Sequence, residues 1–575
     1  MKKLLVFLKN YKKESVMAPL FKMLEAIFEL IVPLVVAAII DDGIRAGSTA
    51  TVLKNSAILV ALAIVGMIAA ITAQYFAAKA ATGFSAELRQ SLFKKIQGFS
   101  FNEIDGIGTS TLITRLTTDV NQAQSCVNMT LRLFLRSPFI VGGALFMALM
   151  IDIKAGLIFL IVIASLSVIV ATIMKLTVPM YKRVQNTLDD VTLATRENLN
   201  GAKVIRAFTE EEQELSRFKA KNDLLAHFQR QVGRISALMN PVTYIVINLG
   251  IVWLIHYGAL RVNGGSLSQG SVVALYNYMS QILVELIKFA NLIVTITKGF
   301  ASGDRIAAVL DMDNTLQSSN DTAVVDSHAV SFDNVSLTYK NAGDESLSNI
   351  TFSADRGEVI GVIGSTGSGK SSLVNLIPHY YDCTQGKVTV LGRDVRSYTK
   401  EEISRRIGFV MQKAVLFKGT VRENIKWGNA NATDEEIDLA LKTAQVYDTI
   451  YEKGGLDTQI EQYGSNLSGG QRQRMTIARA LVGKPEILIL DDSSSALDFA
   501  TEKALREAIL NLDYKPTLFI VSQRCSSMLT ADKIIVLDDG ECVGIGTNEE
   551  LLTSCEVYKE IYDSQFSQEE VTANE

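Results

Sequence analysis

Six apolar runs precede residue 300, at about 15–40, 53–78, 137–151, 155–179, 241–260 and 271–297. Roughly 20 apolar helical residues cross the hydrocarbon core of a bilayer, which offers no water to an unpaired peptide group. These runs therefore predict six membrane-spanning helices. Composition agrees: 48% of the 575 residues are hydrophobic against 20% charged, and mean hydropathy is +0.22. A chain this long also exceeds one hydrophobic core and divides into two or more domains. The first run follows alternating basic and apolar residues and has no small-residue cleavage site at its end. It reads as a retained amphipathic entry helix plus a span, not as a signal peptide.

Lys and Arg collect in two long connectors, 79–136 and 180–240, whereas 41–48, 152–154 and 261–268 are short and nearly balanced. Basic residues favour the cytoplasmic side. The long connectors therefore lie in the cytoplasm as helical hairpins, with tips near 106–119 and 199–210. Span 1 carries Glu25 and Glu29 on one helical face, and span 6 carries Glu285 and Lys288. A charge at mid-bilayer costs about 2.5–3.5 kcal/mol on insertion scales, so these groups face a cavity or each other. A pair of acids on a cavity wall predicts a preference for cationic amphipathic cargo.

The apolar character fades over 301–328, which reads as a linker between a membrane domain at 1–300 and a second domain at 329–575. The second domain begins with short β-rich runs. Within it an apolar run at 359–363 leads into Gly364, Ser365, Thr366, Gly367, Ser368, Gly369, Lys370, Ser371 and Ser372. A strand, a glycine loop and a helix start in this order form a Walker A phosphate loop. Glycines let consecutive backbone N–H groups wrap a phosphate, and the helix dipole faces the same anion. Lys370 is placed to reach the β and γ phosphates and Ser371 to ligate Mg²⁺. The run Ile487, Leu488, Ile489, Leu490 ends in Asp491, a buried-strand acid suited to holding the same Mg²⁺. Tyr339, 25 residues before the loop, is placed to stack on an adenine ring. Ser468, Gly469, Gly470 and Gln471 open a further helix and form a second anion-binding loop about 100 residues downstream of the first.

The order of Walker A, Leu467-Ser468-Gly469-Gly470-Gln471 and Walker B resembles the ATP-binding cassette (ABC) exporters over nearly the whole chain. The resemblance implies a multi-domain half-transporter: a six-helix α-helical transmembrane domain fused to an α/β P-loop nucleotide-binding domain. It implies ATP and Mg²⁺ as cofactors and a bacterial plasma-membrane location with the cassette cytoplasmic. Gln412 matches the family's Q-loop, which touches Mg²⁺ and relays nucleotide state, and 495–498 matches the D-loop. Two cassettes of the family meet head to tail, so each ATP lies between the Walker A of one and the Leu-Ser-Gly-Gly-Gln of the other. The hairpin tips resemble the family's coupling segments.

Two catalytic positions depart from the family. Asp492 stands where a glutamate polarises the attacking water, and Gln523 stands where the switch loop carries histidine. Aspartate is one methylene shorter, and a misplacement near 1 Å can cost on the order of 100-fold. Glutamine cannot carry the positive charge that histidine can. The segment 461–464 also differs from the family's Gly-Glu-any-Gly. Paired losses of this kind resemble the degenerate-site subunit of heterodimeric bacterial exporters. The expected partners are a second half-transporter, the lipid bilayer and an amphipathic drug-like or lipid-like cargo. An importer of siderophore type and a regulatory ATPase subunit that transports nothing are the competing readings. A net charge of −5 gives no case for nucleic acid, and the spans exclude a soluble ABC ATPase. Five cysteines without a CxxC pair point to reduced thiols.

Overall fold

The computed structural model describes residues 2–313, 316, 327–340, 342–493 and 495–572. They form two compact units, Met1–Gln97 with Ser110–Met312, and Gly98–Thr109 with Asp313–Glu575.

The first unit carries the six expected helices, Lys3–Ile44, Thr49–Gln97, Thr109–Ile151, Ile153–Asn200, Glu211–Asn263 and Gln269–Leu310, each long and apolar enough to cross a membrane. Each apolar run of the sequence is the middle of a longer helix. Spans 2 to 5 run on into the two long connectors, in keeping with their heptad-like apolar spacing and few breakers. The second hairpin turns at Gly201 and a short helix, Ala202–Ala207. The first turns earlier than expected, around the helix Phe101–Ile107, while 110–119 already belongs to the returning helix. Ser100 and Glu103 form a capping box there, which fixes the helix start.

The domain boundaries also differ from those expected. Residues 98–109 group with the second unit, and residues 301–310 continue the sixth span as helix where a linker was expected. Buried Ser302, Gly303, Ile306 and Val309 recur at helical spacing, and Arg305 Nε donates to Asp119 Oδ2 at 3.1 Å. The polar composition of 301–310 concealed that periodicity. Of the expected linker, 314–315 and 317–326 lie outside the described residues.

Among the described residues the second unit holds twelve strands: β1 Val330–Leu337, β2 Leu347–Ala354, β3 Val359–Gly364, β4 Gln385–Val390, β5 Arg393–Asp394, β6 Ile407–Val410, β7 Gly419–Thr420, β8 Gln459–Ile460, β9 Ile487–Asp491, β10 Thr517–Val521, β11 Lys533–Asp538 and β12 Glu541–Gly546. One sheet has the order β12-β11-β3-β10-β9-β6 and is parallel except at β12; a second, antiparallel sheet has the order β2-β1-β4-β5. Strands β3, β9 and β10 are buried along their whole length, as strands covered on both faces must be. Their carboxyl ends lie side by side, which is where an open parallel sheet presents a ligand site.

Candidate functional site

Gly364 ends β3, Asp491 ends β9, and Ser522 and Gln523 follow β10. The parallel register thus delivers the phosphate loop, the Walker B acid and the switch residue to one edge. They line a cavity of about 510 Å³ together with Gln412, Asp492, the loop 342–346 and Gly540. Neither that loop nor Gly540 stood out among the sequence motifs.

The phosphate loop has the backbone an anion cradle needs. Gly367 and Gly369 have φ of +90° and +91°, in the left-handed region that disfavours side chains. A Cβ on Gly364 would collide with the Leu537 carbonyl, and one on Gly369 with the Ser346 carbonyl. Lys370 Nζ donates to the carbonyls of Gly364 at 2.9 Å and Ser365 at 2.5 Å. Burial holds its pKa below the ordinary lysine range, with Asp492 and Asp491 opposing that shift. Ser371 Oγ donates to Asp491 Oδ1 at 3.0 Å. Burial pushes the Asp491 pKa up, and this hydrogen bond only partly offsets it. A buried carboxyl held against its charge suits a cation, and the oxygens of Ser371, Asp491 and Gln412 are the hard donors that Mg²⁺ prefers.

Asp492 and Gln523 join this site. Gln412 Nε2 donates to Asp492 Oδ2 at 3.0 Å, and Asp492 has φ +44°, left-handed for a residue with a side chain. Thr366 Oγ1 donates to Gln523 Oε1 at 3.5 Å. Tyr339 is placed differently. Its hydroxyl donates to Ser372 Oγ at 3.0 Å, and its ring packs edge-on against Tyr381, 5.0 Å between centroids, so it does not line the cavity wall.

Ser468, Gly469, Gly470 and Gln471 lie outside that cavity. Ser468 caps the helix Gly469–Leu481 through a capping box with Gln471. The two anion-binding loops of one chain therefore do not close on one nucleotide.

Sequence reasoning missed two connections. Tyr381 Oη donates to Asp105 Oδ2 at 2.7 Å, and Phe101 packs on Tyr380 at 4.7 Å, which seats 98–109 on the cassette. In the membrane unit, Arg136 Nη1 donates to Glu285 Oε1 and Nη2 to Glu29 Oε2, both at 2.6 Å. Lys288 reaches Glu285 at 2.8 Å, Lys22 reaches Glu25 at 2.5 Å, and Ser137 Oγ donates to Glu285 Oε2 at 2.8 Å. Lys22, Arg136 and Lys288 balance Glu25, Glu29 and Glu285. Glu25 and Glu29, expected to face a cavity or each other, thus stand in ion pairs with Lys22 and Arg136. A basic residue at the edge of the third apolar run was the available signal. All five cysteines are free.

Residues 15–286 match the family described as ABC transporter transmembrane region, and 347–495 match the family described as ABC transporter. The chain is 38% identical over 570 residues to the ABC transporter ATP-binding protein YfiB of Bacillus subtilis (strain 168), covering 99% of each chain. It is 31% identical to the putative multidrug export ATP-binding/permease protein YgaD of the same organism, covering 98% of this chain and 99% of that one. A bacterial Atm1-family ABC exporter with ATP bound shares the fold, with a TM-score of 0.81 over 96% of this chain and 98% of that one at 21% identity. The chain belongs to the ABC transporter family, as a multi-pass membrane half-transporter of exporter fold with an ATP-binding, cytoplasmic ATPase domain.

Proposed function

We propose that this chain is one subunit of a heterodimeric ATP-driven exporter of amphipathic small molecules, in which its own Walker motifs form a holding site with little turnover. The observation that carries this reading is Asp492. Its carboxylate is one methylene short of the usual reach and is engaged by the Gln412 amide, while the neighbouring switch position offers Gln523, which cannot become a cation. Mg²⁺ belongs at Ser371, Asp491 and Gln412, where it would neutralise phosphate charge. The protein's own share of the work is to wrap the phosphates with the amides of 364–371, to hold the Lys370 ammonium beside them, and to exclude water.

The placement of Ser468, Gly469, Gly470 and Gln471 away from the cavity supports a partner cassette, since a second chain must complete each site. In the heterodimer these residues serve the partner's ATP, where turnover occurs. Export is supported by the similarity to YgaD, a putative multidrug export ATP-binding/permease protein.

The test is restoration. The full chain, purified alone in lipid nanodiscs, is expected to bind ATP and release phosphate slowly; Asp492→Glu with Gln523→His should raise that release by about tenfold or more. A fast wild-type chain that the double substitution does not accelerate would overturn the degenerate-site reading in favour of a homodimer with two working sites.

A further inference from the structure

The switch residue Gln523 follows β10 and stands at the rim of the phosphate loop, with its side chain near Thr366. What fixes its backbone lies about 40 residues further along the chain. Gln565, on the helix Glu556–Thr572, donates from Nε2 to the Gln523 carbonyl at 2.8 Å and accepts at Oε1 from the Cys525 N–H, also at 2.8 Å. One carboxamide therefore bridges the two peptide groups on either side of Arg524. The orientation of the amide is fixed, because a carbonyl only accepts and an N–H only donates.

The helix that presents Gln565 is itself held in register. Tyr558 is fully buried and its hydroxyl donates to Asn548 Oδ1 at 2.7 Å, while Ile561, Tyr562 and Phe566 pack against the cassette core. Across the loop, buried Glu502 accepts from Ser527 Oγ at 2.5 Å and pairs with Arg524 Nη1 at 3.4 Å. The segment after Gln523 is thus gripped on one side by the helix that follows the D-loop and on the other by the C-terminal helix.

We propose that Gln565 is a positioning residue for Gln523, so that the C-terminal helix sets how the nucleotide site senses the terminal phosphate. On this proposal the switch residue acts on the γ-phosphate, so its placement bears on ATP and leaves ADP untouched. The inference needs only that this chain binds ATP, and it stands whether or not its site is degenerate.

The test is equilibrium binding to the full chain in lipid nanodiscs, with a non-hydrolysable imido analogue of ATP and with ADP, each competing against a fluorescent nucleotide. Gln565→Met keeps the bulk of the side chain and removes both hydrogen bonds. It is expected to weaken the imido analogue about fivefold, the order of one lost net hydrogen bond, and to leave ADP within about twofold. In a Gln523→Ala background the same substitution should add nothing, because an effect that travels through Gln523 disappears when that side chain is absent. Equal weakening of both nucleotides, an effect that adds fully to Gln523→Ala, or no change in either affinity would each overturn the assignment. The thermal midpoint of each variant identifies any misfolded protein, and Gln565→Leu serves as the second variant if Gln565→Met fails to fold.

Discussion

Gln412 Nε2 and Asp492 Oδ2 are 3.0 Å apart, and this hydrogen bond joins the loop after β6 to the residue after β9 across the mouth of the nucleotide cavity. It occupies one oxygen of the Asp492 carboxylate, and under the proposed reading that carboxylate contributes little to turnover.

The proposed heterodimer carries a consequence for turnover. Asp492→Asn should lower steady-state phosphate release only a few-fold, while Ser468→Arg should abolish it by blocking the anion site offered to the partner's nucleotide. Losing one preorganised donor in a dry site typically costs about 10²–10³ in rate. Phosphate release at saturating ATP checks both. Equal damage from the two variants would make Asp492 a working base.

Asp491 predicts a trade of function for stability. Its pKa is raised by burial, so the folded ligand-free cassette binds its proton more tightly than the unfolded chain does. The stability it contributes is present below the ordinary aspartate range and is lost as pH rises through the folded value. Asp491→Asn should therefore raise the ligand-free thermal midpoint at pH 7, by about 0.5–2 kcal/mol in stability, and flatten its pH dependence across the acid range. The same variant should lose the stabilisation that Mg²⁺ with ATP adds. Thermal unfolding from pH 4 to 8, with and without Mg²⁺ and ATP, reads all three.

The six-charge cluster around Arg136 predicts damage to stability before damage to selectivity. The Arg136 side chain is 7% exposed and that of Glu285 is 3% exposed. Removing the hub by Arg136→Ala takes the guanidinium from Glu29 and one of the two cations from buried Glu285, and should cost about 1.5–3 kcal/mol. Arg136→Lys should cost less, yet not nothing, because an ammonium cannot reproduce the guanidinium fork between Glu29 and Glu285. Glu25→Gln with Glu29→Gln should lower the unfolding midpoint in nanodiscs and leave the ratio of cationic to neutral dye transport unchanged. A fall in cationic transport alone, at full stability, would return these acids to a cargo role.

Tyr381→Phe removes one hydroxyl and keeps the ring. It should free Asp105 and weaken the seating of 98–109 by about 1 kcal/mol, seen as faster amide hydrogen exchange in that segment while the phosphate-loop helix keeps its protection. Unchanged exchange over 98–109 would show that the Phe101 and Tyr380 packing holds the segment unaided.

Most of the architecture was legible because it rests on local patterns. Six spans follow from run length. The phosphate loop, Asp491 and the Ser468 cap follow from residue types whose chemistry depends on near neighbours. What escaped is non-local. The pairing of Arg136 with Glu29 and Glu285 spans 107 and 149 residues, and no periodicity within one helix announces it. The reading of 301–310 failed for a different reason, since Ser, Gly and Asp suggested a linker while their spacing still offered a buried face at Ser302, Ile306 and Val309. Gln565 left no trace in the sequence, because a glutamine that holds a loop resembles any surface glutamine.

The cassette is assembled from two separated stretches of chain, and this bears on the order in which the protein is made. Residues 98–109 are synthesised early, but the hydroxyl that anchors Asp105 arrives 276 residues later. The short helix Phe101–Ile107 must therefore wait, capped by its own Ser100 and Glu103, until the aromatic surface of Tyr380 and Tyr381 has been translated and folded. A cassette produced without that stretch would leave Tyr380 without its Phe101 cover, so in the whole chain 98–109 can dock only after Tyr380 and Tyr381 have been made.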